Sequence, residues 1–293
     1  MRFVSHSLSA LIAWFLLFTP AHAGEASWQT VDKVLGQAGR TLPGGVHRYS
    51  WPRRDLSVSV AGTRIDAALA LGSWAGFTSD EPSMAMGDLV LLPTEVTPVI
   101  RALQRGGLEV LAVHNHLIEE SPQIIYVHFA GHGVPHQMAE ALKAALEQTK
   151  TPTAAPAAAP ELPAADRAAF DQVQASLGRK GSMNGRILQV GVPRAAKIEE
   201  EGAEVPATLG MATSLNFQVV GGKVATTGDF VLVADEVNPV IRELESHGIL
   251  VTALHSHMLK ESPRLFFMHF WAVGDAAAVG SGLKAALAKM AVE

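Results

Sequence analysis

The sequence predicts an α+β fold: two homologous tandem domains, each a mainly antiparallel sheet with helices packed on it. Three observations lead there. Residues 84–146 align without a gap to 225–287, and 27 of the 63 positions are identical, so the chain is a duplication of one large unit rather than a short-period solenoid. Within a unit, strand-like runs follow one another directly, which favours hairpins over helical crossovers. Helical runs interrupt them at few places, as in folds that segregate helices to one face of a sheet.

In the first unit, Val31, Val34, Leu35 and Ala38 recur at helical spacing, so 26–38 is predicted as the opening helix. Strands are expected over Val46–Trp51, Leu56–Val60, Arg64–Phe77 (with a break near Gly72) and Met84–Leu92. Thr94 is expected to cap a helix over Glu95–Arg105, with Glu95 in its first turn and Gly106-Gly107 ending it. Leu108–His116 and Gln123–Ala130 then read as two strands joined by LIEESP, and Pro135 opens a last helix to about Gln148. The second unit repeats this order.

Residues 1–23 carry Arg2, an apolar stretch from Leu8 to Phe18 and a closing Ala-His-Ala, the pattern of a secretory signal peptide cleaved after Ala23. The mature chain is expected to run from 24 in a periplasmic or secreted setting, with no later membrane span. Residues 150–165, KTPTAAPAAAPELPAA, lack an apolar period and read as an Ala/Pro-rich linker. Repeat domains are therefore placed at 24–149 and 166–293.

Composition narrows the function. The 293 residues include no cysteine, which excludes disulfide frameworks, thiolate zinc sites and cysteine nucleophiles. A net charge of −5 without runs of Lys or Arg argues against nucleic acid as a partner. No P-loop, GxGxxG, GxSxG or HExxH string is present.

Six of the twelve histidines fall in one pattern, H-x-H-x3-E-S-P-x5-H-F, written once per unit. The members are His114, His116, Glu120 and His128, then His255, His257, Glu261 and His269. Side chains alternate across a strand, so His114 and His116 share a face with Val110 and Ala112. If His128 pairs opposite Ala112 or His114, three imidazoles converge at cross-strand distances. The expectation is a divalent transition metal held by the hairpin of each domain, in two sites or in one shared at the domain interface, zinc foremost, with metal ligands His114, His116, His128, His255, His257 and His269. Glu120 and Glu261 are candidate general bases or fourth ligands. The competing reading is a hydrogen-bonded structural cluster.

Other recurring positions have structural readings. Asp88 and Asp229 follow Gly at a strand entrance and suit a turn ahead of catalysis; Glu95 and Glu236 suit helix capping, with a direction toward the site as the alternative; Arg101 and Arg242 suit salt bridges ahead of a substrate anion clamp. Trp28, Trp51, Trp74 and Trp271 read as packing, as do most of Met84, Met86, Met258 and Met268. His132 and His136 occur only in the first unit and could add ligands there.

The paired HNHLIEESP/HSHMLKESP hairpins, the GD-[LF]-V-L strand and the E-V-x-P-V-I-R helix resemble the LppY/LpqO family of secreted bacterial proteins, a tandem of one domain of unknown function. The resemblance spans essentially the whole mature chain. Members often look like lipoproteins, so the missing lipobox cysteine implies a soluble exported form. It implies no activity. The H-x-H-x3-E string also resembles the first metal motif of cupins, although interleaved helices fit that barrel poorly.

Three functions follow: a metal-binding protein that holds an ion or a small molecule through it; a metal-dependent hydrolase or lyase acting on an envelope or extracellular small molecule; or an envelope-interaction module with no metal. The first is the reading the motif supports best.

Overall fold

The computed structural model describes residues 23–79, 82–154 and 161–293. The expected signal peptide lies outside them except for Ala23, as does the centre of the expected linker. Among the described residues no helix is long and apolar enough to cross a membrane.

The first repeat runs α1 (Ala23–Leu35), β1 (Arg40–Leu42), β2 (Val46–Pro52), β3 (Ser59–Val60), β4 (Thr63–Arg64), α2 (Ala67–Ala70), β5 (Gly72–Phe77), β6 (Ser83–Leu91), α3 (Pro93–Arg105), β7 (Glu109–His114), β8 (Glu120–Ser121), β9 (Ile125–Gly133) and α4 (Pro135–Leu146). The second runs α5 (Ala164–Leu177), β10 (Ser182–Asn184), β11 (Ile187–Pro193), β12 (Glu199–Glu200), β13 (Ala203–Glu204), a 3-10 turn (Ala207–Leu209), β14 (Ala212–Val220), β15 (Lys223–Leu232), α6 (Ala234–Ser246), β16 (Leu250–His255), β17 (Glu261–Ser262), β18 (Phe266–Gly274) and α7 (Ala276–Leu287). Each repeat builds a six-stranded sheet, ordered β1-β2-β5-β6-β9-β7 and β10-β11-β14-β15-β18-β16, and every pairing is antiparallel. The fold is thus two tandem α+β domains, as the sequence predicts.

Local differences have local causes. The strand expected from Arg64 is broken by α2, because Asp66 accepts the Ala68 N–H and Ala-Ala-Leu-Ala is a good helix former. Thr94 does not cap α3. The N-cap is Leu92, and the Glu95 carboxylate reaches back to accept the Leu92 N–H at 2.9 Å. The same carboxylate receives the wholly buried Arg53 guanidinium at 2.7 Å, and Glu236 receives Arg194 at 2.6 Å in the second repeat. These pairs lock the end of a strand to the start of a helix. Arg101 and Arg242 are exposed and make no ion pair among the described residues.

The alternation of β6 shows how the layers form. Ala85, Leu89 and Leu91 enter a core with Val99 and Leu103 of α3 and Leu142 of α4. Met84 and Met86, on the other face, join Val46 and Ala130 and meet Leu209, Met211, Met258 and Phe267 of the second repeat. A second mixed cluster places Val90 and Tyr126 with Ile187, Ala225 and Trp271. Each sheet therefore packs its helices on one face and the other repeat on the opposite face.

Candidate metal centre between the repeats

The hairpin register decides where the histidines go. His128 pairs with Ala112 on one side and Asp88 on the other, while His114 pairs with Tyr126. The second repeat matches: His269 lies between Ala253 and Asp229, and His255 opposite Phe267. A bulge between Val110 and Ala112, and between Val251 and Ala253, breaks the expected alternation. Val110 consequently packs with the helix-side core and Leu111 with the inter-repeat cluster. The bulge re-aims the strand end so that the histidines face the other repeat.

The two hairpins meet. His114 stacks on His255 with ring centroids 3.6 Å apart, His116 on His269 at 3.6 Å and His128 on His257 at 3.7 Å. Tyr126 covers the outer face of His116 at 3.3 Å and Phe267 covers His257 at 3.7 Å. The expected ligands of both domains thus come together, all six imidazoles in one cluster, where the sequence leaves open whether the domains hold two sites or share one. Ligand atoms of His114, His116, His128 and His257 lie within 4.8 Å of one another, as do those of His114, His255 and His269, and those of Asp229, His257 and His269. The first two sets draw on both repeats, and the third lies within the second repeat.

The ring nitrogens are poised as donors of lone pairs. The Nδ1–H of His269 donates to the Gly228 carbonyl at 2.9 Å, and that of His114 to the Asn115 carbonyl at 3.2 Å. A carbonyl can only accept, so in these neutral rings Nε2 carries the lone pair. Nε2 of all six histidines is buried without a hydrogen-bond partner among the described residues. Burial holds His114 down to about 4 and His255 to about 3, with the His114 ring adding to it for His255. His116, His128, His257 and His269 are pushed well below the usual range by burial and then by the adjacent rings. Neutral imidazole is the metal-binding form.

Asp88 and Asp229 are not turn residues. They sit inside β6 and β15, with Asp88 Oδ1 3.7 Å from His128 Nε2 and Asp229 Oδ1 3.9 Å from His269 Nε2. Tetrahedral ligands about 2.1 Å from an ion lie roughly 3.4 Å apart, so these separations close on an ion with small shifts. Burial raises Asp88 to about 8, opposed by Arg48, and raises Asp229 well above its usual range, with Asp88 adding to it. Sequence reasoning favours a turn over a site role for both acids, although the place of Asp88 in the middle of the Met84–Leu92 run, repeated by Asp229 in the second unit, marks them as strand residues.

Glu120 and Glu261 lie apart from the three ligand sets. Glu120 accepts the Ile124 N–H at 3.0 Å, and burial pushes its carboxyl up to about 7. Glu261 accepts the Leu265 N–H at 3.0 Å and pairs with Arg264 at 3.1 Å. His132 is exposed, and neither it nor His136 joins a set. A cavity of about 500 Å³ opens beside the cluster, lined by Asp88, His116, His128, Asp229, His257 and His269 on one side. Trp74, expected only to pack, lines it too.

A family model described as Domain of Unknown Function (DUF1259) matches residues 29–148 and 171–289, one copy per repeat. The chain belongs to the DUF1259 family. This corrects the LppY/LpqO assignment: the hairpin and helix strings that suggested it lie inside the two DUF1259 copies. Each DUF1259 copy contributes three histidines and one Gly-Asp pair to the centre. No curated protein matches the chain. Among solved structures, a trimeric bacterial microcompartment shell protein, PduB, is 14% identical, with 84% of this chain and 87% of that chain covered and a TM-score of 0.22. EtuB from Clostridium kluyveri is 12% identical, with 85% and 90% covered and a TM-score of 0.20. At that level the DUF1259 fold takes no support from either.

Proposed function

We propose that this DUF1259 protein binds divalent transition-metal ions, zinc foremost, between its two repeats, using His114, His116, His128, His255, His257 and His269. The observation that carries this reading is the set of six buried Nε2 atoms that no group among the described residues satisfies. Leaving such atoms unpaired costs about 1–3 kcal/mol each, and an ion would satisfy several at once. An all-nitrogen set with carboxylate neighbours suits zinc, copper, nickel or iron.

The test is metal analysis of untagged protein beside His114→Ala/His116→Ala, His255→Ala/His257→Ala and the combined variant. Because the ligand sets overlap, either pair is expected to remove most of the bound metal. Loss of half with each pair would favour separate sites. No metal in the wild type, and no uptake by the folded protein, would sink the proposal.

A second reading, a metal-dependent hydrolase or lyase acting on a small molecule, is favoured by the cavity against the cluster and by the Glu120 carboxyl raised to about 7. That value suits a general base near neutral pH. Glu120 and its counterpart Glu261 are the bases to test, with Glu120→Gln separating loss of turnover from loss of metal.

A further inference from the structure

The two halves of the cavity are not copies of each other. The layer facing the histidines repeats, Asp88 with Asp229 and His128 with His269. The next layer does not. Trp74 pairs with Asp88, whereas the residue paired with Asp229 is Ser214. Arg48 pairs with Gly76 on β5, whereas Gln189 pairs with Asn216 on β14. One end of a pseudo-symmetric site is therefore cationic and aromatic, and the other is neutral and polar.

Arg48 is set up to receive something. Its guanidinium carbon lies 3.9 Å from the Trp74 ring centroid, and one N–H donates to the Thr208 carbonyl at 3.0 Å. It makes no ion pair within 4.0 Å among the described residues, although Asp88 is near enough for the two groups to act on each other electrostatically. A guanidinium offers a planar fork of donors matched to a carboxylate, and stacking on an indole fixes its plane. Arg48 and Trp74 both line the cavity that reaches His128 and His269.

We propose that this cavity binds a small-molecule carboxylate, one end held by the Arg48 fork over Trp74 and the other directed at the histidine cluster. The inference rests on the metal reading above for its second contact only. The span sets the size. β2 and β9 are three strand spacings apart in the sheet order, about 14 Å, and the Arg48 guanidinium leans in over Trp74 of the intervening β5, so the gap from the fork to the histidines lies within that limit. A linear diacid of up to five or six carbons stays within that limit with a hydrogen bond of about 2.8 Å at one end and a coordination bond of about 2 Å at the other. One guanidinium matches one carboxylate in charge. A phosphate dianion would carry one negative charge more than the single guanidinium balances, so a carboxylate is the better fit. With one such arginine in the pseudo-symmetric cavity, the ligand has one orientation.

The probes are glutarate and adipate, with inorganic phosphate as the competing anion. Binding is read by calorimetry and by Trp fluorescence on zinc-loaded and metal-free full-length protein, with zinc content measured on every sample. Adipate or glutarate is expected to bind the zinc-loaded wild type. Arg48→Gln is expected to weaken that binding at least tenfold at unchanged zinc content. Arg48→Lys, which keeps the charge and loses the fork, falls between and serves if Arg48→Gln does not fold. Arg101→Gln, on the outer face of α3, is the control. No binding of either diacid, equal binding by the Arg48 variants, or tighter binding of phosphate would overturn the proposal. If the wild type takes up no zinc, the metal reading fails by itself. Arg48-dependent binding to the metal-free protein would then still uphold the carboxylate site, and its absence would overturn it.

Discussion

His114 and His255 stack face to face across the two repeats, ring centroids 3.6 Å apart and planes 26° apart. The same position of a duplicated hairpin thus meets itself at the internal pseudo-twofold. Duplication converts a three-histidine hairpin into a six-histidine centre without any new ligand. It also makes the centre depend on the docking of the repeats. That docking is apolar at Met84, Met86, Met211 and Phe267 and hydrogen-bonded where Thr252 donates to the His116 carbonyl at 2.6 Å and Asn216 to the Leu69 carbonyl at 3.0 Å.

Cutting the chain between the repeats is therefore expected to leave one particle. With a protease site inserted within residues 155–160, the two fragments should co-elute in size exclusion and keep the metal of the intact protein. Fragments that migrate separately, each retaining metal, would contradict a shared centre.

The glycine of each Gly-Asp pair has a steric reason. A Cβ on Gly228 would sit 1.8 Å from the Ser214 carbonyl oxygen, and one on Gly87 2.5 Å from both the Phe129 ring and the Trp74 carbonyl oxygen. Backbone cannot move aside as a side chain can. Gly228→Ala is expected to cost about 3 kcal/mol or more, at the upper end of overpacking penalties, and Gly87→Ala at least 1 kcal/mol. Urea unfolding checks both; two unchanged midpoints would mean that the strands separate more easily than their register implies.

Much of this was legible in the sequence, and the gaps have physical causes. The repeat, the antiparallel hairpins and the convergence of His114, His116 and His128 follow from period-2 alternation and from a motif written twice. The opposition of His128 to Ala112 was one of the two registers expected. The meeting of the two clusters was not legible, because no local pattern encodes how one sheet face docks on another. Asp88 was misread because Gly-Asp is a common turn pair, although its neighbours continue the strand on both sides. Arg48 and Trp74 lie outside the strongly repeated segment, and their significance is visible only in a cavity assembled from both repeats.

The acids beside the cluster and the acids in the loops should separate functionally. Asp229 shares a ligand set with His257 and His269, so Asp229→Asn is expected to lower metal affinity roughly 10–100-fold, as loss of a ligand-orienting carboxylate does. Glu120→Gln keeps the oxygen that accepts the Ile124 N–H and should leave metal content unchanged. Competition with a chromogenic chelator reads both. Equal losses from the two variants would move Glu120 into the metal's own shell.

The buried pair of Arg194 and Glu236 carries a pH-dependent part of the stability. The Glu236 carboxylate accepts two guanidinium N–H groups at 2.6 and 3.0 Å, the Val233 N–H at 3.0 Å and the Ala291 N–H at 2.8 Å. Burial alone would raise this carboxyl, but the arginine and the two backbone donors hold it below its ordinary 4.5. A carboxyl depressed in the folded state releases its proton more readily there than in the unfolded chain. Its contribution is therefore complete above about pH 4.5 and fades as the pH falls through the lower folded value. Glu236→Ala leaves a buried guanidinium unpaired and is expected to cost about 3–5 kcal/mol at pH 7. The gap between wild type and variant should narrow by pH 3, because the wild type has by then lost its carboxylate as well. Denaturant unfolding at the two pH values measures it, and a gap that stays constant would show that Arg194 is held by the carbonyl of Val231, 2.8 Å away, rather than by charge.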